Sequence, residues 1–157
     1  IVRIMPNLPA ALGKGVIAIH GTDGPDDETC AFMAPLGLVE WIDDEGLLHL
    51  VAALAASGPA FLYRFIDALG IAGARLGLAP DQSARLALAM VEGSAMLAAQ
   101  SGEAPAMLAD RVASKGGMTR EGLDVLDADE ALVRLLTDTL AAAEKRSAEM
   151  GDAARRT

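Results

Sequence analysis

Residues 59–77, PAFLYRFIDALGIAGARLG, decide the fold class of this chain. Apolar side chains recur every three or four residues along the stretch, at Phe61, Phe65, Leu69, Ala72 and Leu76. That spacing places them in one stripe along an α-helix. The stretch begins with proline, which suits a first helical turn, and ends with glycine, which suits a helix end. The sequence therefore predicts a long amphipathic helix here.

The helical pattern continues on both sides of this stretch. Ser57-Gly58-Pro59 is expected to separate the long helix from a preceding one. The long helix and the one after it are apolar over more than one stripe, which is more apolar surface than a small monomer can cover. We therefore expect a dimer of interlocked helices. The predicted helices span residues 45–56, 59–77, 80–101, 105–113, 119–126 and 130–151.

The first forty residues have a different pattern. Short β-branched runs predict strands at residues 1–5, 15–20 and 38–42, and a helix is expected at 27–36. Three small strands and one helix are typical of the edge of a larger sheet. The chain begins at Ile1 in strand pattern and without Met, so we expect an upstream part of the protein.

Composition narrows the function classes. The chain of 157 residues is 52% hydrophobic but only 3% aromatic, which favours an all-α protein or helical module, and its net charge is −9. Such a charge repels phosphate backbones and anionic lipids, so we expect no nucleic acid and no membrane as partners. Cys30 is alone, which favours a reducing compartment, and no signal peptide or membrane span is predicted. A cytoplasmic location is the simplest expectation.

Outside one glycine-rich loop, few residues are candidates for a catalytic or metal-binding role. His20 and His49 lack a second ligand at suitable spacing, so no metal site is predicted, and Cys30 is interpreted as a small buried hydrophobe. Glu45 starts a helix, and spacing alone leaves open whether it also faces a cleft.

The loop within VASKGGMTREGL, residues 112–123, permits two interpretations. It is either a tight turn, with Ser114 and Thr119 capping helix ends, or an anion site. In the second interpretation, consecutive N–H groups at a glycine-rich helix start would bind a small carboxylate or phosphate, and Lys115 could strengthen the field.

Four motifs in register give the chain a family resemblance. The motifs are Met5-Pro6-Asn7-Leu8-Pro9, Ala56-Ser57-Gly58-Pro59-Ala60-Phe61, Leu76-Gly77-Leu78 and Ser114-Lys115-Gly116-Gly117-Met118-Thr119. With these motifs the chain resembles pyrroline-5-carboxylate reductase over essentially its whole length, and the fourth motif is the most specific.

The resemblance implies a domain organisation and a reaction. Residues 1–42 would be the C-terminal edge of a Rossmann domain, and residues 43–157 an all-α dimerisation domain of the 6-phosphogluconate dehydrogenase C-terminal type. The enzyme would use NADPH or NADH to reduce a cyclic imine, 1-pyrroline-5-carboxylate, to proline. The glycine-rich dinucleotide fingerprint is absent from this sequence. We therefore expect an upstream domain to bind most of the cofactor, and this chain alone to be inactive.

The resemblance also implies roles for individual residues. Thr119 would be catalytic, with its hydroxyl on the ring nitrogen. Glu45 would lie near the substrate, and Met5 and Asn7 near the nicotinamide. Substrate binding would further involve the loop residues Ser114, Gly116, Gly117 and Met118.

Two loop residues depart from the family pattern, Lys115 in place of Pro and Met118 in place of a smaller residue. Two alternatives to the reductase stay open: a non-catalytic dimerisation module that assembles into a homodimer or larger oligomer, and a related imine or β-hydroxyacid reductase.

Overall fold

The computed structural model describes residues 1–155 and is mainly helical, with one three-stranded sheet. The predicted fold class is confirmed. By compactness the chain divides into two units. We call residues 1–61 with the stretch from Leu136 onward the sheet unit, and residues 62–135 the hairpin unit. This division does not test the boundary predicted between residues 42 and 43.

The sheet contains all three predicted strands. Strand β1 spans Val2–Pro6, β2 spans Gly15–Gly21 and β3 spans Gly37–Trp41. Strand β2 is central, antiparallel to β1 and parallel to β3. Its central position explains its β-branched sequence, because Ile17 and Ile19 are completely buried.

The connection between β2 and β3 contains helix α1, Asp27–Met33, and a 3-10 turn, Ala34–Leu36. The helix begins as predicted, with the Asp26 carboxylate accepting from the Glu28 N–H. The chain then enters β3 through Gly37, which pairs with Gly15. A Cβ atom on Gly37 would lie 2.0 Å from the carbonyl oxygen of Gly15, and its φ of +142° also disfavours a side chain. Glycine at position 37 therefore lets β2 and β3 meet at this end.

The break predicted at Ser57-Gly58-Pro59 is confirmed only at Ser57, because one helical element ends at Ala56 and the next already begins at Gly58. A 3-10 turn, Glu45–Leu47, leads into α2, Leu48–Val51, a π-helical segment, Ala52–Ala56, and then α3, Gly58–Arg75. Ser57 keeps helical dihedral angles, and its N–H donates to the carbonyl of Ala52 five residues earlier at 3.0 Å. The wider π turn before Ser57 lets the chain enter α3 at Gly58, so Pro59 lies in the first turn of α3.

The hairpin unit contains most of α3 and all of α4, Pro80–Ser101. Helix α3 ends in a Schellman motif: Gly77 has φ of +115°, and the Leu78 N–H donates to the carbonyl of Gly73 at 3.1 Å. Near this turn the two helices approach each other through small residues. A Cβ atom on Gly73 would lie 2.2 Å from Ser83 Oγ, and Ser83 is buried.

Three further helices complete the described chain: α5, Pro105–Val112; α6, Met118–Asp127; and α7, Ala131–Arg155. Each lies within a few residues of its predicted span. The sequence predicts that the last helix begins at Glu130. In the structure Asp129 and Glu130 both have positive φ, near +50°, and the helix begins at Ala131. This short left-handed segment separates α6 from α7, and neither of its residues is a glycine.

Helices α3 and α4 expose many large apolar side chains, as their multiple stripes predicted. Ile71 of α3 is 46% exposed and Leu88 of α4 is 56% exposed. The continuous helical stretch Glu45–Arg75 is also long and apolar enough to cross a membrane by length and composition alone. The sequence pattern, interrupted by Gly58 and Pro59, did not predict a stretch of that length. Exposed apolar surface of this kind is typical of an interaction site.

Candidate functional site

The glycine loop lies between α5 and α6 in the hairpin unit. Its four residues 114–117 form a turn in which the Gly117 N–H donates to the carbonyl of Ser114 at 2.9 Å. Gly116 is the third residue of this turn and has φ of +70°, the region that a type II turn requires there. Gly117 then precedes the first residue of α6 as its N-cap. Of the two adjacent glycines, Gly116 therefore provides the positive φ of the turn, and Gly117 is the N-cap of α6.

The start of α6 offers backbone donors. The carbonyl of Gly117 accepts from the N–H groups of Arg120 and Glu121, at 3.0 and 3.4 Å. Among residues 1–155, the described backbone hydrogen bonds include none donated by the N–H of Met118 or Thr119. Both groups point along the positive end of the helix dipole, which favours an anion there.

Two hydroxyl groups adjoin these donors, and neither has the predicted capping role. No side chain caps α6 at Gly117, and Thr119 is the second helical residue rather than the cap. A Cβ atom on Gly117 would lie 2.4 Å from Ser114 Oγ, so this hydroxyl lies directly against the turn. The capping explanation for Ser114 and Thr119 is therefore wrong, and both hydroxyls lie beside the start of α6.

The departures Lys115 and Met118 both lie on the exposed side of the loop. Met118 is 92% exposed, so little of the protein covers it. Ser114, Lys115 and Gly116 are exposed as well, whereas Thr119 is half-buried. Of the loop residues with a predicted substrate role, Thr119 therefore has the most enclosed side chain.

Two ion pairs lie in the region of the loop, and sequence reasoning missed them. Arg120 in the first turn of α6 pairs with Asp110 in the last turn of α5, at 2.7 Å. Arg111 pairs with Glu103 at 2.8 Å. The hydrogen bond to Asp110 raises the pKa of Arg120 above its usual value, and the charges of nearby carboxylates add to the effect. A spacing of ten residues matches no helical repeat, so the sequence alone contained no signal for the Asp110–Arg120 pair.

The other predicted site residues lie in the sheet unit. Met5 is in β1, opposite Ala18 of the buried strand β2. Glu45 begins the 3-10 turn that follows Asp44, and its Oε1 accepts a hydrogen bond from Arg3 Nη1 at 2.5 Å. Glu45 therefore links the start of the long helix to β1. The loop and this group belong to different units and are described separately.

Asn7 connects two parts of the sheet unit through its side-chain amide. Its Oδ1 accepts from the Val16 N–H at 2.9 Å, and its Nδ2 donates to the carbonyl of Ala55 at 2.9 Å. In a regular helix the N–H of residue 59 would donate to that carbonyl, but proline has no N–H. The amide of Asn7 therefore replaces the donor that Pro59 lacks.

A family model described as pyrroline-5-carboxylate reductase dimerisation matches residues 45–150, more than half of the chain. The chain belongs to the pyrroline-5-carboxylate reductase family. The matched region contains the hairpin unit and with it the glycine loop. The family resemblance inferred from four short motifs is thereby confirmed.

Curated relatives and solved structures agree with this assignment. The chain is 34% identical to pyrroline-5-carboxylate reductase of Pseudomonas aeruginosa, over 97% of this chain and 57% of the relative. It is 40% identical to the reductase of Aquifex aeolicus, over 81% of this chain and 49% of the relative. The chain thus spans about half the length of the curated relatives it matches.

The structural neighbours are reductases of the same name. The structure from Coxiella burnetii has a TM-score of 0.86 and 31% identity, covering 94% of this chain and 56% of that one. The structure from Plasmodium falciparum, with NADP bound, has a TM-score of 0.78 and 27% identity, covering 96% and 62%. The helical fold that follows the small sheet is therefore a fold of this reductase family.

The remaining candidate groups have structural partners. His20 Nδ1 lies 2.7 Å from the carbonyl oxygen of Ile42, and His49 Nδ1 lies 3.0 Å from Ser147 Oγ on α7. Cys30 is half-buried rather than fully buried as predicted. In the described part of the chain, no three His, Cys, Asp or Glu side chains are placed to hold a metal ion.

We expect Asn7→Ala to destabilise the chain, because it leaves the Val16 N–H and the Ala55 carbonyl without their partner. The expected loss is about 2–4 kcal/mol of unfolding free energy. Thermal and urea unfolding of the chain without cofactor measure it. If Asn7 served only to contact the nicotinamide, Asn7→Ala would instead weaken cofactor binding and leave the unfolding free energy unchanged. Unchanged unfolding of Asn7→Ala would therefore contradict the bridging role.

Proposed function

We propose that this chain forms the substrate loop and dimerisation helices of an NAD(P)H-dependent pyrroline-5-carboxylate reductase. The reaction would reduce 1-pyrroline-5-carboxylate to L-proline, the last step of proline biosynthesis. Support comes from the family match over residues 45–150 and from relatives of that name at 34–40% identity. The activity is a proposal for the whole protein, because the chain matches about half of each relative.

The start of α6 carries the proposal. Two backbone N–H groups, of Met118 and Thr119, have no described partner and lie at the positive end of a ten-residue helix. The hydroxyls of Ser114 and Thr119 adjoin them. A carboxylate on a small ring matches this arrangement, because it accepts several hydrogen bonds and carries the negative charge that a helix start favours.

The chemistry assigned to these residues is orientation and polarisation. Ser114 Oγ and the N–H groups of Met118 and Thr119 would hold the substrate carboxylate. The Gly117 N–H is already bonded to Ser114, so we assign that glycine a conformational role. Thr119 Oγ1 would hydrogen-bond the ring nitrogen and help its protonation as the neighbouring carbon is reduced. Such a site accelerates a reaction through fixed geometry and prearranged dipoles.

The cofactor would bind mainly outside this chain. A nicotinamide cofactor supplies the hydride when it is bound, and a reductase structure similar to this chain contains NADP. The residues of this chain could contact only the edge of such a cofactor. The sequence contains no glycine-rich dinucleotide fingerprint, and the Asn7 amide already bonds the Val16 N–H and the Ala55 carbonyl. We retain Met5 and Asn7 as residues near the nicotinamide ring, and the choice between NADPH and NADH stays open.

A substrate comparison tests the loop assignment in the native protein that carries this chain. We expect NAD(P)H oxidation with 1-pyrroline-5-carboxylate, and a kcat/KM at least about 100-fold lower with 1-pyrroline, which lacks the carboxylate. A β-hydroxyacid in the same assay tests the related-reductase alternative. Equal rates with and without the ring carboxylate would contradict the proposed binding of that carboxylate by the glycine loop.

A second candidate function is dimerisation without catalysis. The exposed apolar faces of α3 and α4, and the dimerisation family that matches them, favour it. We infer that a homodimer interlocks these helices, with larger oligomers also open, and that the 157-residue chain alone has no reductase activity.

Light scattering on the purified chain tests the association. We expect a dimer, and a dissociation constant raised at least about tenfold by Ile71→Asp, because the aspartate would be buried in an apolar contact. Asp81→Ala, on the exposed first turn of α4, is the control. A stable, folded monomer would contradict the assignment.

We further propose that the protein acts in the cytoplasm and binds neither nucleic acid nor membrane. The net charge of −9 and the single cysteine support this proposal. A cell fractionation experiment that recovers the protein with membranes would overturn it.

A further inference from the structure

Two oppositely charged side chains connect the helices on either side of the glycine loop. Arg120 Nη2 donates to Asp110 Oδ1 at 2.7 Å. Asp110 lies in the last turn of α5 and Arg120 in the first turn of α6, so the loop lies between them in the chain. The Arg120 side chain is 33% exposed, which makes it more enclosed than the other arginines in described ion pairs.

Neither charge is favoured by its own helix. The end of a helix carries a partial negative charge, which disfavours Asp110, and the start of a helix carries a partial positive charge, which disfavours Arg120. Helix stability therefore does not explain why an aspartate and an arginine occupy these positions. An interaction across the loop does explain it, because each charge compensates the other.

The pair also bears on the electrostatics of the loop. One carboxylate lies on α5, that of Asp110, and three lie on α6, those of Glu121, Asp124 and Asp127. Negative charge near the start of α6 opposes the binding of an anion there. The hydrogen bond to Asp110 and the charges of Asp124 and Asp127 raise the pKa of Arg120, which shows that these carboxylates lie within electrostatic reach of its guanidinium. Arg120 thereby offsets negative charge next to the free N–H groups of Met118 and Thr119.

We propose that the Asp110–Arg120 ion pair is a clamp that positions the glycine loop for a carboxylate ligand. By joining the two helix ends, it restricts the turn at residues 114–117 and keeps the donors at the start of α6 aligned. Both are positioning residues that act through the loop. The identity of the ligand rests on the proposed function, whereas the ordering of the loop does not.

The alternative is an ordinary surface ion pair, since exposed pairs commonly contribute little. The chain offers a matched control in Arg111–Glu103, an ion pair of similar length in the same helix region. Both of its members precede the loop, so it does not join the two ends. Arg111→Gln removes the same charge as Arg120→Gln and leaves the clamp in place.

The first measurement is hydrogen exchange at two loop amides in the native protein. The Gly117 N–H donates to Ser114 and the Arg120 N–H donates to Gly117, so their exchange rates report how often the turn opens. We expect Asp110→Asn and Arg120→Gln each to raise both rates by about three- to tenfold, with Arg111→Gln unchanged. Unchanged rates in both single variants would overturn the proposal.

The second measurement separates KM from kcat with 1-pyrroline-5-carboxylate. Asp110→Asn and Arg120→Gln, by making the glycine loop more mobile, should raise KM by about five- to tenfold and change kcat by less than about twofold. The reason is that substrate and transition state share the carboxylate contact. The charge-swapped double variant, Asp110→Arg with Arg120→Asp, should restore KM and the exchange rates to near the original values. The swap places each charge at the helix end that favours it.

The outcomes separate the clamp from the proposed function. If the swapped variant stays as impaired as the single variants, charge pairing is not the cause and the proposal fails. If the original protein does not reduce the imine, the proposed function fails, and exchange at Gly117 and Arg120 still decides whether the pair orders the loop. If both single variants change KM only as much as Arg111→Gln does, the effect is one of net charge and the clamp is overturned.

Discussion

Replacing Gly37 with alanine is expected to prevent the sheet unit from forming. The added Cβ would lie 2.0 Å from the carbonyl oxygen of Gly15 and 2.5 Å from its nitrogen. Both are backbone atoms of the central strand, so no side chain can rotate away to relieve the collision. Overpacking of this kind costs about 3 kcal/mol or more, and the backbone angle of Gly37 adds to it. Such a loss removes much of the stability of a small domain.

Circular dichroism and urea unfolding measure the effect of Gly37→Ala. The matched control is Gly24→Ala, because Gly24 also has positive φ, at +83°, but a Cβ there would meet no atom within 4 Å. We expect the control to lose only about 1 kcal/mol, through backbone strain alone. Similar losses in the two variants would show that the contact between β2 and β3 is not the cause.

Replacing Thr119 with alanine is expected to give the largest loss of activity. Its hydroxyl is the donor that we assign to the ring nitrogen, and its half-buried position at the second residue of α6 keeps it in place. Removal of one positioned donor should lower kcat/KM at least about 30-fold, which corresponds to about 2 kcal/mol. Steady-state kinetics with 1-pyrroline-5-carboxylate in the native protein measure this loss.

Two variants separate the hydroxyl from the fold in this experiment. Thr119→Ser keeps the hydroxyl and should retain most of the activity. Gly122→Ala changes a residue of the same helix where a Cβ would meet no atom within 4 Å, and it should leave kcat/KM unchanged. Activity in Thr119→Ala equal to that of the original protein would remove Thr119 from the site.

Local patterns predicted most of the fold. The β-branched run at residues 15–20 was identified as a strand because a central, buried strand requires such side chains. The helices after residue 58 were bounded by prolines and glycines whose backbone preferences are local. The same local logic made the break at Ser57-Gly58-Pro59 too wide, since only Ser57 lies outside the helical elements. The Ala55 carbonyl there accepts from Asn7, 48 residues away in the chain, which no window of sequence includes.

The candidate site was predictable in part. Its loop was found from the two glycines and from the order of the motifs, and the family was confirmed. The roles of Thr119, Glu45 and the other named residues stay predictions. The Asp110–Arg120 pair was missed because it depends on how α5 and α6 meet across the turn. The left-handed angles at Asp129 and Glu130 were missed because neither residue type requires them.

The pairing of Asn7 with Pro59 limits how this protein can be recombined with its relatives. An amide at position 7 and a proline at position 59 form one unit, because the first supplies the donor that the second lacks. A chimera that takes strands β1 and β2 from one parent and the long helix from another keeps this residue pair only when both parents have it. Crossover points between residues 7 and 59 should therefore yield fewer folded chimeras when the parents differ at either position.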